Sequence, residues 1–140
     1  MAEPLSVAIH AVRQAGDLVG KRVLITGCGP IGLLCILAAR RAGAREIVAT
    51  DIEALPLSVA KKAGADITLH PLQNQDELNA FSDNKGYFDV LFECSGMQAA
   101  LVSAIALVAP RGTIVQLGLG GDMTLPMQAI TAKELSLIHI

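Results

Sequence analysis

Gly27-Cys28-Gly29-Pro30-Ile31-Gly32 is the stretch on which the fold turns. It follows Arg22–Thr26, a short apolar run that reads as a buried strand, and it opens Pro30–Ala42, where apolar residues recur with helical spacing. G-x-G-x-x-G alone is a weak pattern. Between a strand and a helix it becomes specific, because each glycine then has a physical task. Gly27 permits the tight turn out of the strand, Gly29 leaves room for a pyrophosphate to approach the backbone, and Gly32 lets the helix pack on the sheet. Pro30 stands at the first helical position, where its missing N–H does no harm. Since it offers no donor, the amides of Ile31 and Gly32, backed by the helix dipole, are the expected phosphate partners.

The next apolar run outward, Glu46–Thr50, reads as a second strand and ends at Asp51, nineteen residues after Gly32. A carboxylate there accepts protons from both hydroxyls of an adenosine ribose and repels a 2′-phosphate, and Ile52 beside it brings no compensating cation. The spacing therefore predicts NAD rather than NADP, with Asp51 and Ile52 completing the adenosine side. The same residues admit a plainer account, in which the glycines only make turns and Asp51 only caps the helix that follows.

The rest of the chain continues the alternation. Leu5–Ala15 has helical spacing, with Val7, Ala8, Ala11, Val12 and Ala15 on one face, and Gly16 and Gly20 end it. Glu53–Ala63 reads as a helix stopped by Gly64, Ile67–Leu69 as a weak strand and Asp76–Phe81 as a short helix. Phe88–Cys94 is a strong strand followed by a helix over Gln98–Val108, a turn at Pro110-Arg111-Gly112, a strand over Thr113–Leu117 and a last strand over Leu135–Ile140. Strand alternating with helix predicts an α/β, Rossmann-type doubly wound parallel sheet of about six strands with right-handed crossovers. The whole of 1–140 reads as one NAD-binding domain, with 1–20 as a connecting helix and 21–140 as the cofactor-binding sheet. In the usual strand order, Cys94, Ser95 and Gly96 after the fourth strand and Gly118 after the fifth border the nicotinamide half of the cofactor. Small residues at a tight turn would look the same.

Composition sets the outer limits. A chain of 140 residues that is 52% hydrophobic buries a real core and is not a disordered segment. Eleven basic against thirteen acidic residues, a net charge of −2, give no basic stripe for nucleic acid. The apolar stretches around Ile31–Ala39 and Ala99–Ala109 are too short to span a bilayer, and the N-terminus has no export pattern. Three widely spaced cysteines make no disulfide framework and point to a reducing, cytoplasmic setting. Cys28 and Cys94 are expected at the ends of adjacent strands as small apolar fillers, a redox pair or an adventitious metal site being the alternative, with Cys35 in the core. His10 and His70 read as structural or solvated, and His139 carries no functional weight.

Arg22–Gly64 with its glycine core, Phe88–Gly96, Gly112–Gly118, Lys85–Val90 and the opening Glu3-Pro4-Leu5-Ser6-Val7 together resemble the cofactor domain of zinc-containing medium-chain alcohol dehydrogenases, in particular their polyol and L-idonate branch. The resemblance covers nearly the whole chain. It implies hydride transfer between NAD and a secondary alcohol of a polyol or sugar acid, with zinc polarising the alcohol oxygen. Glu3 matches the Glu of the family's Glu-Pro segment, which implies a place beside the metal in the full-length enzyme only. The family's other zinc ligands, in a Cys position and a Gly-His-Glu segment, and its four-cysteine cluster have no counterpart in this sequence. The resemblance thus implies a cofactor domain parted from its catalytic domain, with no catalytic residue of its own and no turnover alone. Met123–Met127, around Pro126, resembles an exposed edge segment that pairs across a two-fold axis, implying a homodimer or higher homo-oligomer. Two departures stand out: Pro56 occupies a position often held by Lys or Arg, and Leu137–Ile140 leaves the pattern. A stand-alone NAD-sensing regulatory module with the same loop is the alternative, and the helical stretch before Arg22 favours the dehydrogenase.

Overall fold

Val23 and Ile25 face one side of the first strand and Leu24 the other, and all three are fully buried. That alternation without a polar side requires helices on both faces of the sheet. The structure, a computed structural model, describes residues 2–140. Its strands are β1 (Arg22–Thr26), β2 (Glu46–Thr50), β3 (Ile67–Leu69), β4 (Phe88–Glu93), β5 (Val108–Gln116) and β6 (Ser136–His139). The helices are α1 (Ala2–Ala15), α2 (Pro30–Arg41), α3 (Ala54–Ala63), α4 (Gln75–Ala80), α5 (Gln98–Ile105) and α6 (Met127–Ala132), with a 3-10 turn at Asp83–Lys85. All strands lie parallel in one sheet of order β3-β2-β1-β4-β5-β6. The order reverses between β1 and β4, and in such sheets the carboxyl ends of the strands at the reversal are where a ligand crevice forms.

One core holds Ala8 and Ala11 of α1, Cys35, Ile36 and Ala39 of α2, and Ala60 of α3 against Val23, Ile25, Ile47, Ala49, Val90, Phe92 and Val115. The small side chains of α1 and α2 bring helix and sheet close. The other core sets Leu78, Leu101, Ala104, Ile105 and Ile130 against Leu24, Val48, Phe88, Leu91 and Ile114. Each large side chain buried in this way stabilises the fold by about 1.5–3 kcal/mol. Arg40, at the end of α2, donates to the carbonyls of Ala44 and Gly64 and pairs with Asp66, tying α2 to α3 and β3. Among the described residues no helix is long and apolar enough to cross a membrane.

The sequence reading of the elements needs three corrections. Pro110-Arg111-Gly112 does not precede the fifth strand but lies inside it, because Phe88 pairs with Val108 and Val90 with Thr113, which leaves the intervening residues as a bulge. Pro110 has no ladder donor and Arg111 takes φ +65°, while a Cβ at Gly112 would sit 2.4 Å from Val108 Cγ1. The helix expected to reach Val108 therefore stops at Ile105. Met123–Met127 is not an edge strand. Met123 and Leu125 pack on the second core, the Thr124 amide donates to Gln98 Oε1, and Met127 begins α6, a helix the sequence reading missed. The sheet edge on that side belongs to β6.

Candidate functional site

The strand ends at the reversal of order carry a polar row. Thr50 is in register with Thr26, Thr26 with Glu93, and Glu93 with Gln116. Directly above it, the loops after β1, β2, β4 and β5 gather the residues singled out in the sequence. Gly27, at φ +88°, makes the turn out of β1, and its amide donates to Thr50 O at 2.8 Å. A Cβ on Gly27 would lie 2.7 Å from Ser95 N, so the loop after β1 rests directly on the loop after β4. Gly32 packs as tightly: its Cβ would come within 1.9 Å of Gly27 O.

Gly29 differs from its neighbours. It is the N-cap of α2 at φ −70°, no side chain caps it, and a Cβ there would meet nothing within 4 Å. Open space over a backbone turn is what a pyrophosphate needs in order to approach. Pro30 opens the helix, and the amides of Ile31 and Gly32 belong to its first turn, where donors have no intrahelical partner.

Asp51 follows β2, and its carboxylate serves two backbone donors. Oδ2 accepts from Cys28 N at 2.8 Å and Oδ1 from Glu53 N at 2.8 Å. Asp51 does not cap α3, whose N-cap is Glu53 without a side-chain cap; it holds the turn into that helix and the phosphate loop with one carboxylate, and each oxygen keeps a lone pair for a ribose hydroxyl. Ile52 beside it is 66% exposed. On the far side of the crevice, Cys94 N donates to Thr26 O at 2.8 Å, and Gly96 turns at φ +72°. Gly118 sits so near that its Cβ would lie 2.2 Å from Gly96 N. All the cofactor-side residues read from the sequence therefore meet at one rim.

The thiols are packing groups. Burial, with Asp51 nearby, pushes the Cys28 thiol up to about 12. The bond to Cys35 and then burial raise Cys94 well above the usual thiol range. The sulfur facing Cys94 is that of Cys35, at 4.0 Å, while Cys28 Sγ turns to Thr50 O at 3.5 Å. His70, read as structural or solvated, takes the structural role: its Nδ1 accepts from the amides of Leu72 and Gln73 after β3.

Glu3 is exposed in the first turn of α1. Among the described residues no three His, Cys, Asp or Glu side chains converge as a metal site. The donor set of the described residues does not by itself fit a zinc ion. A hollow of about 460 Å³ opens elsewhere, at the amino end of the sheet, beside Lys21, Asp89 and Arg111. Two of the charges there are paired, Asp89 with Arg22 Nε at 3.6 Å and Arg111 with Glu134 at 3.1 Å.

Glu93 is the residue that sequence reasoning missed. It is fully buried at the end of β4 and accepts five hydrogen bonds, from Thr26 Oγ1, Ser95 N, Ser95 Oγ, Gly96 N and Gln116 Nε2. The signal was present: an acid closing an apolar strand and followed at once by Cys-Ser-Gly.

Residues 30–140 match the zinc-binding dehydrogenase family. L-idonate 5-dehydrogenase (NAD(P)(+)) of Escherichia coli is 47% identical over 137 residues, covering 97% of this chain and 39% of that protein. The crystal structure of L-idonate 5-dehydrogenase from Escherichia coli superposes with a TM-score of 0.94 at 45% identity, over 99% of this chain and 40% of that one. Sorbitol dehydrogenase of Bos taurus is 38% identical over 142 residues, covering 98% of this chain and 40% of its own length. The chain spans about 40% of the length of such relatives.

Proposed function

The chain belongs to the zinc-binding dehydrogenase family, and from that premise we propose that its single domain is the NAD-binding part of an enzyme that moves a hydride between NAD and a secondary alcohol of a polyol or sugar acid, L-idonate-like in kind. The observation that carries the reading is the junction of Asp51 with the phosphate loop: the 2.8 Å bond to Cys28 N sets a carboxylate beside an open, glycine-lined helix start. When bound, the nicotinamide accepts or returns the hydride. The work of this chain is to hold it. The Ile31 and Gly32 amides receive the pyrophosphate, Asp51 takes the ribose hydroxyls and disfavours a 2′-phosphate, and the Cys94–Gly96 and Gly118 loops border the nicotinamide side.

Residues 1–20 connect this domain to a catalytic domain, and 21–140 form the sheet that binds the cofactor. Glu3 is the one residue we assign toward zinc, in the longer protein. Its support is the match of Glu3-Pro4 to the family's Glu-Pro segment, at the exposed first turn of α1. A cytoplasmic homodimer acting on a small polyol is the setting we propose. An NAD-sensing module would use the same crevice, but the likeness to catalytic relatives extends through α1, over 97% of the chain.

The test is a titration of the chain with NADH and, separately, NADPH, followed by cofactor fluorescence. Tighter binding of NADH supports the loop and Asp51 assignments together. Equal affinity removes the ribose role of Asp51, and binding of neither refutes the cofactor reading. In the full-length protein, oxidation of L-idonate against sorbitol reads the substrate.

A further inference from the structure

We propose that Glu93 is a positioning residue that holds the nicotinamide side of the crevice in place, an inference that rests on the cofactor reading above. A buried carboxylate is retained only where donors surround it. Glu93 is 0% exposed, and its donors come from three strand ends. Oε1 takes Thr26 Oγ1 of β1 at 3.1 Å, with Ser95 N at 2.9 Å and the Ser95 hydroxyl beyond β4. Oε2 takes Gly96 N at 3.1 Å and Gln116 Nε2 of β5 at 2.7 Å.

Two further observations show how closely the rim is built around this carboxylate. A Cβ on Gly118 would lie 2.8 Å from Glu93 Oε2, so the loop after β5 passes against it with no room for a side chain. Gln116 Oε1 is the buried side-chain oxygen that finds no partner among the described residues. The Gln116 amide is oriented to give its N–H to Glu93, and its oxygen is left unsatisfied as a result.

Ser95 is the link to the cofactor. Gly27 packs on Ser95 N so closely that a Cβ would come within 2.7 Å, and Ser95 is held from below by Glu93 through both its amide and its hydroxyl. One carboxylate therefore sets the height of the Ser95–Gly96 loop and of the loop after β5. Asp51 governs the other side of the crevice through Cys28. The two acids divide the site: Asp51 the adenosine half, Glu93 the nicotinamide half.

The variant Glu93→Gln keeps the shape but replaces one acceptor with an N–H₂ that must face donors on either side. Thr26→Val, which removes a single donor from the same tie with little change of shape, serves where the first variant loses its cooperative melting. Two readouts on the 140-residue chain decide. Amide hydrogen exchange without cofactor should rise about tenfold at Ser95 and Gly96 and stay unchanged at Val48 and Ala49. NADH should bind about tenfold more weakly, while AMP, which reaches only the Asp51 side, should keep its affinity within about twofold. Unchanged protection at Ser95 and Gly96 in both variants overturns the tie, and equal loss of NADH and AMP overturns its restriction to the nicotinamide half. If the unsubstituted chain binds neither nucleotide, the cofactor reading fails and this inference falls with it, while the exchange data still report the tie.

Discussion

The Cys28 amide donates to Asp51 Oδ2 at 2.8 Å, so the acid that ends β2 grips the loop that leaves β1. Its other oxygen accepts from Glu53 N at 2.8 Å. In Asp51→Asn, one of these two donors must face an N–H₂ group, and the charge that repels a 2′-phosphate is gone. NADH should bind about tenfold more weakly and the preference for NADH over NADPH should shrink. Parallel fluorescence titrations check both, and an unaltered preference would remove Asp51 from the ribose.

Gly29 and Gly32 make a matched pair with opposite outcomes. At Gly29 an alanine meets open space at an ordinary φ of −70°. Gly29→Ala should melt within about 0.5 kcal/mol of the parent yet lose NADH affinity on the order of a hundredfold, because the methyl fills the approach of the pyrophosphate. At Gly32 the added Cβ lies 1.9 Å from Gly27 O, and the helix must move. Gly32→Ala should cost about 3 kcal/mol or more in urea unfolding. Equal destabilisation by the two changes would contradict the open cradle.

The carboxyl-end loops were legible in the sequence because each depends on local chemistry. Gly27 needs a positive φ, Gly32 a close contact and Asp51 only its place after a strand. What escaped depends on partners far along the chain. Glu93 looks like the polar end of an apolar strand until Thr26, 67 residues away, and Gln116, 23 residues away, close around it. Pro110-Arg111-Gly112 has the composition of a turn, but pairing of Val108 with Phe88 on its near side makes it a bulge within one strand. The short helix α6 has only six residues, too few for a period to show.

Lys133 closes the end of α5. Its Nζ donates to the carbonyls of Ile105 at 3.1 Å, Ala106 at 3.2 Å and Val108 at 2.8 Å, and burial lowers its pKa. Lys133→Met keeps the apolar stem and removes the three donors. It should destabilise the domain by about 1–3 kcal/mol, read by urea unfolding, because the carbonyls at the end of α5 and the start of β5 lose their partner. A change below about 0.5 kcal/mol would mean that water replaces the ammonium without loss.

Asp66 gives the domain an acid-sensitive clamp. Burial pushes its pKa up, but the Ile47 amide at 2.8 Å, the Arg40 guanidinium and Lys61 outweigh burial and hold it below the ordinary 3.8. A depressed folded pKa means that the stabilisation is complete above the unfolded value and drains away as pH falls through the folded one. The group is 44% exposed, so solvent screens the pair and the effect is modest. Asp66→Asn should therefore melt below the parent at about pH 6, and the gap should narrow as pH falls below about 4. The parent thus shows the steeper acid limb. A gap that stays constant down to about pH 2.5 would show that the ionised carboxylate of Asp66 contributes nothing to the clamp.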